Sequence, residues 1–316
     1  TNLANGLNGQ RHHEHGRPRG LQGGLMARIW CLGSINVDMF YDVPHIPAPG
    51  ETLAATGHST GLGGKGANQS VAAAKAGADV FHIGAIGSNS EWVFKRLESY
   101  GVDTSHIAIS EDPTGQAIIN VAADGENAIV ILAGANRTLE EGNLRAALST
   151  ADSGDLLLLQ NETNLQAKAA RIASECGMRV LYSAAPFDAK ATRAVLPYID
   201  TLLLNEIEAE QLQKALKQSL FALPAKHIVV TLGANGARWI STRSGDSWDI
   251  PGIKVDAVDT TGAGDTFAGY LAAALARYFK PSEAMALAGR AAALKVTKKG
   301  TADAIPSLAE VEAFKS

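Results

Sequence analysis

Cysteine is nearly absent from this chain of 316 residues. Cys31 and Cys176 are its whole complement, and neither sits in a CxxC or a metal-ligand spacing. A disulfide framework is therefore not expected, and both thiols read as buried. No run approaches the ~20 apolar residues that span a bilayer, and no basic start, apolar middle and small-residue cleavage site marks a signal peptide. The expectation is a cytoplasmic protein with no membrane partner. The formal charge is −4 and no long basic block occurs, which argues against nucleic acid as partner and leaves any anionic ligand to local groups. A Walker A loop is missing as well: in Gly63-Gly64-Lys65-Gly66 a glycine follows the lysine where Ser or Thr is required, so a P-loop nucleotidase is disfavoured.

Apolar residues, by contrast, make up 46% of the chain, ample for one large or two ordinary domains. Residues Thr1 to Leu25 are polar, rich in Gly, Arg and His, and without a period that buries a face. They read as a disordered leader or tag, whose histidines lack the rigid scaffold a metal site needs, with Met26 the expected natural start. Ala27 to Leu32 reads as a strand. From Leu139 onward strands and helices alternate: strands at Asp155–Leu159, Arg179–Tyr182, Thr201–Leu204 and His227–Thr231, helices at Leu165–Cys176, Ala189–Leu196 and Glu206–Leu216. That rhythm predicts an α/β domain with a mostly parallel sheet flanked by crossover helices. Two regions break it, about 37–60 and 115–133. The second has an Asp124-Gly125 turn between alternating runs, a hairpin signal. These strands are assigned to a small antiparallel lid standing off the main sheet within a domain spanning 26–316. Its exposed apolar face is also the expected contact of a homodimer.

The stretch Val258–Leu271, VDTTGAGDTFAGYL, carries the chemistry. An apolar approach through Ile253, Val255 and Val258 runs into Asp259-Thr260-Thr261-Gly262-Ala263-Gly264-Asp265. A helix then begins, with Phe267, Leu271, Ala274 and Tyr278 at its buried spacing. Two glycines let successive N–H groups point into one hollow, and the helix dipole adds positive charge there, so an anion is expected in it. Asp265 beside it would repel a resting phosphate, yet it is placed to take a proton from a hydroxyl attacking phosphorus. The alternative is a strand-to-helix turn with Asp265 as a helix-start residue.

Polar groups gather where strand ends should converge. Asn36 and Asp38, two apart after the first strand, face one side, and a carboxylate accepting from neighbouring hydroxyls suits a sugar, although a plain polar turn reads equally well. The glycines about Lys65 permit close approach of backbone to a small ligand, to which Lys65 and Asn68 can donate; they open a helix over Ala67–Ala76 closed by Gly77. Glu162 lies past the strand LLLLQ, with Gln160 and Asn161 as rival polar groups. Asn205 and Glu208 share one face of a helix start, where acidic residues also favour the dipole.

DTTGAGDTFAGYL resembles the C-terminal signature of the ribokinase-like (PfkB) carbohydrate kinases, and GGKGANQSVAAAKAGADVFHIGAIG, Gly63–Gly87, their N-terminal signature; the likeness runs from Met26 to Phe314. It implies ATP-dependent phosphorylation of a sugar primary hydroxyl, ribose foremost. By this resemblance Asp265 is the base, and the amides of Gly262, Ala263 and Gly264 form the anion hollow. Asn36, Asp38, Gly64, Lys65, Asn68 and Glu162 bind the sugar. Asn205, Thr231, Gly233, Gly236 and Gly264 bind the nucleotide. Mg2+ accompanies ATP, with Glu208 near it, often through water. It also implies K+ as activator, enclosed by Asp259, Thr261, Lys295, Lys298 and Gly300, mostly through backbone, in a turn that follows the helix Ser282–Lys295. Two departures stand out. Gly87-Ser88-Asn89-Ser90-Glu91-Trp92 replaces the usual Gly-x-Asp-x-x-Gly, and Ala304 sits where a side-chain oxygen is often found. The rival readings are a kinase of another sugar, a sugar acid or a nucleoside, the last without the aromatic walls that stacking needs, and a non-catalytic sugar-binding protein.

Overall fold

The computed structural model describes residues 26–314; the expected leader lies outside them. The chain opens with strands β1 (Ile29–Leu32), β2 (Asn36–Val43) and β3 (Gly57–Gly63), then helix α1 (Lys65–Lys75), β4 (Val80–Gly87), α2 (Trp92–Ser99) and β5 (Val102–Ser110). Strands β6 (Gly115–Ala122) and β7 (Asn127–Leu132) form the hairpin, followed by α3 (Glu141–Leu148) and β8 (Leu156–Leu159). The alternation continues through α4 (Gln166–Glu175), β9 (Arg179–Ser183), α5 (Ala189–Val195), β10 (Thr201–Asn205), α6 (Glu206–Leu216) and β11 (His227–Thr231). Strands β12 (Gly236–Ser241) and β13 (Ser247–Pro251) precede α7 (Ala263–Ala276), α8 (Pro281–Val296) and the short α9 (Leu308–Ala313).

Nine strands form the main sheet in the order β13-β12-β11-β10-β9-β8-β1-β4-β5, parallel except for β12 and β13 at one edge. Its middle strands, IWCL and LLLL, are buried on both faces, as continuous apolar runs between two helical layers must be. Their side chains alternate between two cores: Ile29, Cys31, Leu156 and Leu158 face α1, α7 and α8, whereas Trp30, Leu32, Leu157 and Leu159 face α3 to α6. Among the described residues no helix is long and apolar enough to cross a membrane.

The separate four-stranded sheet has the order β3-β2-β6-β7. It is mixed rather than antiparallel, because β2 and β6 run parallel in register from Asn36↔Gly115 to Val43↔Ala122. Three further expectations are corrected. Cys176 is exposed, since it follows the last residue of α4. Val258 and Tyr278 are exposed as well, and Tyr278 lies beyond the end of α7 with a φ of 60°, so its helical spacing places it on no helix. The replaced loop after Gly87 is closed locally: buried Ser90 accepts the Thr114 hydroxyl at 2.6 Å, and Thr114 Oγ1 in turn accepts the Gly87 N–H at 2.8 Å.

Gly269 lets α1 and α7 touch. A Cβ there would lie 2.5 Å from Ala72 Cβ and 2.5 Å from the Gln69 carbonyl. One turn before Gly269 stands Asp265.

Candidate active site

β1 runs out at Gly33, and the next residues return as β2, so Asn36 and Asp38 open a strand paired with the glycines of β3. Both are buried. The Asp38 carboxylate lies over Gly63, where a Cβ would come 2.1 Å from each of its oxygens. Asn36 Oδ1 accepts from Asn136 Nδ2 at 2.8 Å, and Asn136 Oδ1 accepts the Ile35 N–H at 2.8 Å. Gly64, with φ at +91°, brings the chain so near the β1–β2 turn that a Cβ would sit 2.8 Å from Ser34 O. Glu162 joins the two motifs: Ser34 Oγ donates to its Oε2, and the Lys65 N–H donates to the same oxygen at 3.2 Å. Its rivals are occupied elsewhere. Gln160 donates to Gln69 Oε1 at 2.8 Å and Asn161 to Pro186 O at 2.7 Å.

These groups form one electrostatic unit. Burial, reinforced by the charges of Glu162 and Asp265, pushes the Asp38 carboxyl up to about 7. Attraction to Asp265 holds the Lys65 ammonium above its ordinary range against the opposing effect of burial, with Glu162 and Glu208 adding to it. The Lys65 ammonium therefore feels the charges of three carboxylates remote from one another in sequence.

Asp265 is buried in the first turn of α7. Asn68 Nδ2 donates to its Oδ2 at 3.1 Å and Gln69 Nε2 to its Oδ1 at 3.0 Å, so both oxygens are oriented from α1. Gly262, with φ at 75°, turns the chain into the helix. The first helical bond runs from Thr266 N–H to Gly262 O at 2.9 Å, so the Gly264 and Asp265 N–H groups precede any partner within the helix. The Ala263 N–H turns back to Thr260 O at 3.2 Å.

On the other side of this turn lies a cavity of about 870 Å³. Thr231, Gly233, Gly236 and Gly264, which the resemblance assigns to the nucleotide, are among its lining residues. Its apolar wall, from Ile253, Val255, Phe267, Met285 and Ala293, was not foreseen; Gly289 and Ala293, four apart on α8, leave the room. Asn205 is not part of that lining. Its Oδ1 accepts the Glu208 N–H at 2.8 Å and Glu208 Oε2 accepts the Asn205 N–H at 2.9 Å, a reciprocal cap on α6. The Glu208 charge contributes to raising Lys65, and a carboxylate so capped can hold a magnesium ion through water.

The implied potassium ligands come together but do not fit a free cation. Thr261 N–H donates to Asp259 Oδ1 and Gly300 N–H to Oδ2, both at 2.9 Å. Burial pushes the Asp259 carboxyl up, yet these two amides, with the Thr261 hydroxyl and the Lys295 charge, together hold it below its ordinary value. The Lys295 carbonyl accepts the Lys298 N–H at 3.0 Å, while Lys298 Nζ reaches away to Glu310. Lys295 is fully buried, and its Nζ donates to the Asp259 carbonyl at 3.0 Å, on an oxygen that potassium would use. Ala304 brings no side-chain oxygen.

Ser34, Gln69 and Asn136 are the residues sequence reasoning missed, and Gln160, named there only as a rival of Glu162, orients Gln69 instead. Gln69 lies inside the quoted Gly63–Gly87 signature and Ser34 just after the first strand, whereas Asn136 carries no local signal.

The pfkB family carbohydrate kinase profile matches residues 26–308. A ribokinase of Haemophilus influenzae is 40% identical over 305 residues, 92% of this chain and 99% of its own. A deoxyribokinase of Salmonella typhi is 33% identical, covering 91% of this chain and 98% of that one. The solved ribokinase of Cryptococcus neoformans in complex with ADP superposes with a TM-score of 0.82 at 33% identity, over 91% of this chain and 99% of its own. With that match running through the sheet, the lid strands and the glycine turn that carries Asp265, the chain belongs to the pfkB family of carbohydrate kinases.

Proposed function

We propose that this protein transfers the γ-phosphoryl group of ATP to the primary hydroxyl of ribose, giving ribose 5-phosphate. The observation that carries the reading is Asp265, fixed by Asn68 and Gln69 at the mouth of the α7 amide hollow, beside Lys65 and Asp38. Asp38 accepts from two neighbouring sugar hydroxyls, Lys65, Asn68 and the Gly64 backbone donate, and Asn36 and Glu162 complete the polar wall. Asp265 takes the proton of the attacking hydroxyl. With the Ala263 N–H engaged by Thr260 O, the Gly262 and Gly264 N–H groups of this turn are the donors to the charge on the transferring group. Thr231, Gly233, Gly236 and Gly264 seat the nucleotide, with Asn205 and Glu208 at its phosphate end. Mg2+ brought with ATP neutralises phosphate charge, and Glu208 would hold it through water. The four-stranded sheet acts as a lid that keeps water from the phosphoryl group, and through β7 as the contact of a homodimer. A cytoplasmic location goes with the ATP supply.

A deoxyribose acceptor is the second reading, favoured by the 33% identity to a deoxyribokinase. If the hydroxyls held by Asp38 include the one deoxyribose lacks, that sugar leaves an acceptor unpaired and reacts far more slowly. ADP release measured across ribose, 2-deoxyribose, other pentoses, sugar acids and nucleosides is the test. Ribose is expected to give the highest kcat/KM; ATP turnover on no acceptor would overturn the proposal in favour of a non-catalytic sugar-binding protein.

A further inference from the structure

One buried charge has no part in the transfer just described. Lys295 lies in the last turn of α8, fully buried, with its ammonium on the Asp259 carbonyl at 3.0 Å. The same helix end holds the chain before α7 by two more bonds, Val258 N–H and Asp259 N–H to Val296 O at 2.7 and 3.0 Å. Gly300 and Thr261 fix the Asp259 side chain. The segment leading into the α7 amide hollow is thus clamped from α8, and the clamp ends in a fixed positive charge. An ammonium withdrawn from water is costly unless carbonyls and carboxylates replace its hydration. Burial pulls the Lys295 ammonium below its ordinary range; the charges of Asp259 and Asp265 oppose that pull, and the Asp259 carbonyl replaces part of the lost hydration at contact distance.

Resting on the kinase reading of this turn, we infer that the Lys295 ammonium is a resident cation that takes the place of free potassium. Ammonium and potassium ions are alike in charge and similar in size, so either serves to bind carbonyl oxygens. They exclude one another at a shared carbonyl, because two like charges a few ångströms apart in a poorly hydrated site repel strongly. The alanine at 304, where the resembled family often has an oxygen, is what a site without a free ion permits. Lys295 is a positioning residue: it holds the Asp259 carbonyl, and hence the turn into Gly262–Asp265, permanently in the geometry that an added ion would otherwise impose.

The test measures ADP release with saturating sugar and ATP in chloride salts of potassium, sodium and choline at equal ionic strength. Direct titration of thallium(I), a potassium mimic, gives a readout that needs no turnover. The wild-type rate is expected to differ by less than about twofold among the salts, the scale of ordinary ionic effects, with no saturable thallium binding. Lys295→Ala should lose roughly tenfold or more in choline, as for removal of one electrostatic contact near a reacting phosphoryl group, and should bind thallium and regain rate in potassium. Lys295→Met, which keeps the chain volume, should lose rate without potassium rescue. Potassium stimulation of the wild type, or saturable thallium binding to it, would overturn the inference while leaving the kinase reading intact. A wild type inactive on every sugar would sink the kinase reading, and thallium binding would still decide the cation site.

Discussion

The Gln69 carbonyl and Gly269 meet so closely that a Cβ on the glycine would lie 2.5 Å from that oxygen. Through this contact α7 lies against α1, and the Gln69 side chain reaches Asp265 at 3.0 Å. Gly269→Ala adds a methyl group where backbone and Ala72 already stand. The usual helix-propensity gain of up to ~1 kcal/mol is then outweighed by an overpacking cost of ~1–3 kcal/mol. Thermal melts should report a net loss, and kcat should fall because α7 carries the base away from its amides. Gly289→Ala is the contrasting case. No atom lies within 4 Å of the added methyl, but the residue lines the 870 Å³ cavity. Stability should hold or rise while KM for ATP increases; equal melting shifts for the two variants would refute the packing argument.

The base and its support separate in kinetics. Asp265→Asn should keep sugar affinity within a few-fold and lower turnover by ~10²-fold or more, the scale of lost general-base catalysis. Gln69→Leu leaves the carboxylate in place but frees one of its oxygens, so kcat should fall with KM for sugar little changed. Gln160, which donates to Gln69 at 2.8 Å, belongs to the same chain of amides. A cycle of Gln69→Leu, Gln160→Leu and the pair should be non-additive in kcat. Additive losses would show that Gln160 does not act through Gln69.

Asp38 links sugar binding to pH. Burial first, then the charges of Glu162 and Asp265, push its carboxyl up to about 7. Only the ionised form accepts from two hydroxyls, so kcat/KM for the sugar should decline as pH falls below about 7. The sign reverses for stability of the ligand-free protein. Between the ordinary carboxylate range and about 7 the folded state holds a proton that the unfolded chain has released, so stability is lost as pH rises through that window. Asp38→Asn should abolish the acidic limb, lower kcat/KM, and make the apo-protein less sensitive to pH across it. A kcat/KM profile flat across neutrality in the wild type would remove Asp38 from sugar binding.

Much of this arrangement was legible because it rests on backbone geometry written in short segments. The parallel strands are continuous apolar runs such as LLLL and TLLL, and the turns into α1 and α7 need glycines at fixed positions. What was not legible depends on partners remote in sequence. Gln160 finds Gln69 91 positions away, and Asn136 finds Asn36 100 positions away, with no periodicity to announce either. Alternation in β6 and β7 shows that they are strands with a turn between them, but it is blind to the parallel partner β2. The resemblance implied Lys295 as one of the residues enclosing a cation, mostly through backbone; that its own ammonium reaches the Asp259 carbonyl is a fact of tertiary packing. Tyr278 kept the helical period past the point where the backbone leaves the helix.

β7 leaves an edge and both of its faces uncovered among the described residues. Val130 and Ile131, which point to opposite sides, are 64% and 63% exposed, and Ile129 and Leu132 are exposed beside them. Four successive apolar side chains on a free strand edge are a pairing surface, and a natural chain that presents one normally covers it. A second copy of this sheet offers the same edge and the same side chains, so a two-fold contact buries them on both partners. Sedimentation velocity of the wild type should therefore give a dimer. Ile129→Lys with Ile131→Lys places two charges on one face of the strand, and the pair should sediment as a monomer that still folds, since neither side chain is in the core. A wild type that is monomeric at all accessible concentrations, or a double variant that stays dimeric, would show that β7 is not the interface.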